Sequence, residues 1–419
     1  MRTGDMGEVR LEQTAGGNVA PGSGGLPPGT SFVWFVMVMG CLTMFGPMAI
    51  DMYLPALPAI GADLGVEQAQ VQMTLSSFLI GYGAGQLLWG PLGDRFGRKL
   101  PAAAGVALFV LAGVGCALAS DIWALTAWRV AHGVGACAAP VIARAMVRDA
   151  FDRDRGASVM SLMMLVMGVA PMLAPLAGGM VLDHIGWRGI FWCLTVFGMI
   201  AGLSLLTVRE TRRPVTGARV GGGVLANYML LMLDRRFMGY AVPGSFVSAG
   251  MFAYISGTPF IYIEHFGVSP EQFGLLFGVN VVALMVSNII NSRLVLRHGV
   301  DRMLGWGILA TAATGAVLIV TAGLGIGGLW GVAVPLFFYL GALGLVGSNG
   351  MAGALAAFPH MAGTASSLAG ALQLCAGALA GGLVGVLTQG GSPLPMSAIL
   401  CSSALAGLVA HRRLLPPRP

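Results

Sequence analysis

Ser31–Ile60 reads "SFVWFVMVMGCLTMFGPMAIDMYLPALPAI", a stretch whose single charged residue is Asp51. It is longer than the roughly 20 apolar residues that a helix needs to cross hydrocarbon. A charge inside such a span costs about 2.5–3.5 kcal/mol on insertion scales, and residues that carry one usually face a cavity or each other. Reading the stretch as a span makes this a membrane protein and makes Asp51 a residue that needs a reason.

The rest of the chain repeats the pattern. Of its 419 residues 56% are hydrophobic and 10% charged, whereas a soluble domain carries about 25% charged. Apolar runs fall at about 31–60, 71–92, 101–120, 122–146, 157–182 and 187–208, then at 237–263, 271–292, 303–323, 328–356, 363–388 and 393–410. In lipid each must be a helix, because every backbone polar group needs an internal partner. The expected fold class is an all-α membrane protein with twelve transmembrane helices.

All but two of the 23 basic residues fall in segments that this count puts on one side. By the positive-inside rule that side is the cytoplasm, and both termini lie there. The exceptions are Arg188 on the opposite side and Arg129 inside span 4. The expected organisation is a disordered cytoplasmic tail at 1–30, a six-helix bundle at 31–208, a cytoplasmic linker at 209–236, a second six-helix bundle at 237–412 and a short tail at 413–419. The first tail lacks the apolar core of a signal peptide. A formal charge of +6 does not point to nucleic acid, since no basic patch is interleaved with aromatics. The six cysteines lie in apolar runs without CxxC or zinc spacing, so no metal or cofactor is expected. No HExxH, GxSxG or P-loop speaks for a membrane enzyme.

The strongest local motif is "GPLGDRFGRKLP", Gly90–Pro101, between spans 2 and 3. Gly90, Gly93 and Gly97 allow a tight turn and close helix approach. Asp94 can accept charge-assisted bonds from nearby arginines or sit against a helix N-terminus, so that the turn with Arg95 and Arg98 becomes a breakable latch; a solvated anchor is the plainer alternative. An echo, "LRHGVD" at Leu296–Asp301, follows span 8 about half a chain later, which suggests two six-helix halves. "GYGAG" at Gly81–Gly85 lacks the strand–turn–helix of a nucleotide site and is expected to serve helix packing.

"GPLGDRFGRK" resembles the loop 2–3 signature of major facilitator transporters. "IDMYLPALP" in span 1 resembles the start motif of drug/proton antiporters, and "WRVAHGVGAC" in span 4 resembles their motif with an intramembrane arginine. "APMLAPLAGG" in span 5 resembles the antiporter motif, with Ala174 where the general pattern has glycine. "FPHMAGTASSLAG" at 358–370 is similar to the span 10–11 junction of the bicyclomycin-resistance-type (Bcr/CflA) group. The resemblance covers about residues 31–410 and implies the major facilitator fold. It also implies proton-coupled multidrug efflux from a bacterial inner membrane, with small antibiotics of the bicyclomycin or chloramphenicol type as substrates. The protein partners implied are none: a monomer in the lipid bilayer exchanging drug for protons. Proton-coupled movement of a small metabolite on the same fold is the alternative.

Counting from the expected span ends, Asp51 lies nine residues, roughly 13 Å, and Arg129 seven residues, roughly 10 Å, from the outer face. Both are expected to line a central cavity, Asp51 as the exchangeable proton site and Arg129 tuning it; a static ion pair is the plainer reading. Pro171, Pro175, Gly178 and Gly179 in span 5 suit a bent, tightly packed gate that limits proton leak. His132 is expected to be a packed, hydrogen-bonded residue. Candidate substrate contacts are Tyr53, Gln86, Phe252, Tyr254, Tyr262 and Gln373, whose aromatic faces and amides suit adaptable ligands.

Overall fold

The computed structural model describes residues 31–151, 153–211, 224–358, 361–388 and 392–415. The tail at 1–30 and the last four residues, expected to be cytoplasmic, lie outside the described residues, as do 212–223 of the linker. Among the described residues every regular element is helical.

Ten helices are long and apolar enough to cross a membrane, and a pair bent by 41° in span 1 makes an eleventh. The twelfth is span 2, Gln68–Phe96, of full length but less apolar because Gln68, Gln70, Gln72, Ser76, Ser77 and Gln86 lie along it. Spans 3 to 6 are Lys99–Ala117, Ile122–Ala150, Arg153–Ile185 and Trp187–Leu206. Span 7 is Arg235–Pro259 continued by a π-helical turn Phe260–His265, and spans 8 to 12 are Pro270–His298, Val300–Gly323, Gly328–Ala356, Ala362–Leu387 and Leu394–Leu414. Several run past the apolar edge: span 8, expected to stop near 292, continues through Arg293 and Arg297, since charged side chains can prolong a helix once it leaves hydrocarbon. The segment expected as linker also holds a short helix, Val224–Leu233.

Span 1 is broken where its prolines dictate. A proline lacks the N–H that would bond the carbonyl four residues earlier. Pro47 thus leaves Thr43 unpaired, and the first helix ends at Thr43. Pro55 leaves Asp51 unpaired, and the next helix ends at Asp51. Pro58 leaves Leu54, whose carbonyl instead takes the tighter bond of a 3-10 turn over Leu54–Ala56 before Leu57–Leu64 resumes.

Spans 2, 3, 4 and 6 pack on one another with span 1, and spans 7, 9, 10, 11 and 12 form the corresponding set. The two halves meet where span 2 runs along span 11 and span 5 along span 8. Glycines set those seams. A Cβ on Gly385 would lie 2.8 Å from the Gln72 amide, and one on Gly83 would lie 3.5 Å from Leu374. On the other seam Gly179 sits 3.1 Å, Cβ to oxygen, from the Pro270 carbonyl. Toward the basic face, the one bearing Arg95, Arg98 and Lys99, Gly90, Gly347 and Gly363 have open space where a Cβ would be.

Candidate functional site

Arg129 is fully buried in the first half. Its guanidinium carbon lies 4.3 Å from the Phe78 ring centre, 4.5 Å from Tyr53 and 5.8 Å from Phe191, a three-walled aromatic cage. Nη1 donates to the Ala49 carbonyl and to His132 Nδ1, each at 3.2 Å. An arginine can only donate, so His132 Nδ1 accepts and the ring proton sits on Nε2. His132 stacks on Phe109 with centroids 4.2 Å apart, and Nε2, like Arg129 Nε and Nη2, has no hydrogen-bond partner among the described residues.

The two intramembrane charges do not meet. Asp51 is 5% exposed, and no hydrogen bond or ion pair reaches its carboxyl among the described residues. The turn that follows it, Leu54–Ala56, packs against span 8 and against span 7, which carries Tyr254. Tyr254 is itself buried, stacked on Phe277 and accepting a 3.0 Å bond from Asn280 Nδ2. Asp51 therefore lies where span 1 meets the second half, while Arg129 belongs to the interior of the first.

Span 5 stays helical through Pro171 and Pro175. A Cβ on Gly178 would collide with the carbonyl of Met52, next to Asp51, and Gly179 faces Pro270 of span 8. The two adjacent glycines thus seat span 5 against span 1 on one side and the second half on the other. Gly81 and Gly85 likewise let span 2 meet the backbone of span 4 at Val130 and Val134.

At the basic face, Arg98 donates to Asp94 at 2.6 Å and to Asp149 of span 4 at 2.7 Å. The backbone N–H groups of Arg98 and Lys99 both donate to Glu210, just beyond span 6. Burial pulls the Arg98 proton affinity down, but the bonds to Asp149 and Asp94 outweigh it and hold it above the ordinary arginine value. Gly97, at φ +92°, turns where a Cβ would lie 2.9 Å from Glu210. Glu210 carries no motif label in the sequence; only the fold shows that it completes this clamp with Asp149. Arg95 and Gly90 stand beside it at the basic face.

The other candidate contacts scatter. Tyr53 is buried, its hydroxyl 2.6 Å from Thr74. Tyr262 is buried with no partner for its hydroxyl among the described residues. Phe252 and Gln86 pack against the glycines of span 11, Gly377 and Gly370. Gln373 lines a cavity of about 260 Å³ between spans 7, 8, 10 and 11, with Ser248, Met251, Asn288 and Ser348.

The Major Facilitator Superfamily model matches residues 39–381. The chain is 36% identical over 352 residues to a bicyclomycin resistance protein homolog of Haemophilus influenzae, covering 84% of this chain and 88% of that one. It is 36% identical over 400 residues to the uncharacterized MFS-type transporter YdgK of Bacillus subtilis, covering 92% and 96%. It is 29% identical over 387 residues to the multidrug resistance protein MdtL of Escherichia coli, covering 92% and 96%. Among solved structures, a D-xylose–proton symporter superposes with a TM-score of 0.72 at 17% identity, over 93% of this chain and 98% of that one.

Proposed function

The chain belongs to the Major Facilitator Superfamily, in its bicyclomycin-resistance-type group of membrane transporters, and from that premise we propose that it is a proton-coupled exporter of small antibiotics. The observation that carries the reading is Asp51: a buried carboxyl without an ion-pair partner among the described residues, at the seam between halves, beside the break in span 1. Such a carboxyl changes its proton occupancy when the side from which water reaches it changes. The names of the relatives, bicyclomycin resistance and multidrug resistance, support outward movement of drug.

On this reading the basic face is cytoplasmic in a bacterial inner membrane. The halves at 31–208 and 237–412 rock about the seams in a monomer. Arg129 biases Asp51 through the backbone it holds at Ala49. Gly178 and Gly179 with Pro171 and Pro175 keep the outer seam tight, and the Gly90–Arg98 loop latches the inner face. In proteoliposomes with an imposed pH gradient, wild-type protein moves chloramphenicol or bicyclomycin against the proton flow, and Asp51→Asn loses the gradient dependence. Substrate moving with protons, or unchanged coupling in Asp51→Asn, would sink the reading.

A further inference from the structure

We infer that the basic face carries a site for anionic phospholipid headgroups, built by Arg235, Arg236, Arg412 and Arg413 where spans 7 and 12 cross, with the helix Val224–Leu233 lying in the bilayer surface beside it. The inference needs only that the chain spans a membrane, and it stands whichever solute the chain moves.

The helix Val224–Leu233 carries no charge, and Asn227 and Tyr228 are its only residues with a polar side-chain group. At 10 residues it is half the length that spans hydrocarbon. It packs on spans 7 and 11, with Leu231 wholly buried. Met229, Leu230, Met232 and Leu233 stay exposed all the same, Leu233 by 84%. A helix apolar on nearly every side belongs against protein or lipid, and no protein covers these four residues among the described ones. Asp234 follows the helix and caps span 7, whose apolar run starts at Phe237. Four residues of helical rise put the end of the short helix within about 6 Å of hydrocarbon. That is the depth at which interfacial helices rest.

The headgroup site follows from charge. Arg235 Nη2 donates to the Arg413 carbonyl at 3.3 Å, and a Cβ on Gly239 would lie 3.0 Å from Leu415, so the start of span 7 crosses the end of span 12 closely. Arg235, Arg236, Arg412 and Arg413 are all exposed at that crossing, and none has an ion-pair partner among the described residues. The neighbouring carboxylates are engaged elsewhere. Asp234 accepts the backbone N–H groups of Arg236 and Phe237, each at 2.8 Å, and Asp301 accepts the Tyr240 hydroxyl at 2.6 Å. Four arginines against two carboxylates leave the patch positive. Since Asp234 already takes the N–H groups that open span 7, an anion is left to the guanidinium groups, whose forked donors match a phosphate. Leu233 stands two residues from Arg235, so charge and exposed apolar surface adjoin. A phosphodiester carried on acyl chains satisfies both at once, as a free phosphate or an acidic peptide does not.

The test is lipid binding by the purified full-length protein in detergent, with dioleoylphosphatidylglycerol and dioleoylphosphatidylcholine as probes and bound lipids counted by native mass spectrometry. Phosphatidylglycerol is expected to bind about tenfold or more tighter than phosphatidylcholine. Arg235→Gln with Arg412→Gln should remove that preference, at about fivefold for each basic residue near a lipid surface. Arg236→Gln with Arg413→Gln is the second pair and should act alike. Arg293→Gln with Arg297→Gln takes the same charge from the end of span 8 and should leave the preference unaltered. Leu233→Gln, at an exposed position, should weaken both lipids by a few fold. Each variant is checked for an unchanged melting midpoint. Equal affinity of the wild-type protein for the two lipids overturns the inference. So does an equal loss in the span 8 pair, which would make the effect one of overall charge, or unaltered affinity in both of the other arginine pairs or in Leu233→Gln. Displacement of phosphatidylglycerol by inorganic phosphate would show a site for free anions and overturn the lipid assignment.

Discussion

Arg129 donates to the backbone carbonyl of Ala49, two residues before Asp51, and not to the Asp51 carboxyl. The contact is made to a carbonyl that cannot change its charge, so the hydrogen bonds of Arg129 do not depend on the protonation of Asp51. They do fix the position of the short helix Phe45–Asp51 that carries it.

That arrangement separates shape from charge at position 129. Arg129→Lys retains the charge but lacks the planar group that fills the Tyr53, Phe78 and Phe191 cage, so it should lose most gradient-driven transport. Arg129→Ala should lose transport and also about 3 kcal/mol or more of stability, by emptying a fully buried site. Melting midpoints and transport rates measured on the same preparations check both. A lysine variant with wild-type transport would show that charge alone suffices.

At the outer seam, Gly178→Ala drives a methyl group into the Met52 carbonyl, whereas Gly179→Ala meets the Pro270 backbone at 3.1 Å, a tight contact that a shift of a few tenths of an ångström relieves. The first should destabilise by about 1–3 kcal/mol and raise passive proton leak; the second should do less of both. Leak is read as the decay of an imposed pH gradient in proteoliposomes without drug. Equal leak from the two variants would contradict the geometry.

Much of this could be read from the chain, and the limits have physical causes. The breaks in span 1 follow from Pro47, Pro55 and Pro58, because a missing N–H acts within one turn. The glycines of span 5 point to close packing, but not to which backbones they pack against. The pairing of Asp51 could not be read at all: similar depth in two spans says nothing of which way each side chain turns, and Arg129 turns inward to its cage. Glu210 went unnoticed because a surface carboxylate becomes specific only when a loop more than a hundred residues away folds onto it. Span 2 shows the opposite case, a helix less apolar than its neighbours because one side of it meets another helix instead of lipid.

The clamp at the basic face should be graded. Arg98→Ala releases Asp149 and Asp94 together and should cost about 1–3 kcal/mol, less than a fully dry pair because the Asp94 side chain is 70% exposed. Asp94→Asn should cost little in stability. Since Arg98 is held above its ordinary proton affinity, its contribution is complete below the ordinary arginine value and fades only as pH climbs past it. The Arg98→Ala stability difference should therefore be constant from neutral to moderately alkaline pH in thermal melts. A difference that shrinks by pH 9 would point to another origin.

Gln72 is wholly buried against span 11, and neither amide atom has a partner among the described residues. Gln72→Leu replaces that polar group by an apolar one of similar size and should favour the closed seam by about 1–3 kcal/mol. A cysteine introduced at Ser76 should then be labelled more slowly from the outer side, and transport should fall. Faster labelling in the leucine background would overturn this.

Glu210 is also more than a surface contact. By gripping the N–H groups that open span 3 from a position beyond span 6, while Arg98 holds span 4 and the end of span 2, it removes the hinges from one end of the first bundle. Four helices so joined turn like a crank, whose swing at one rim becomes a swing at the far rim without bending between. On the proposed reading, Asp51, carried on the broken helix beside that crank, is then displaced by the whole bundle's rotation, and its timing is set by the slowest seam to part.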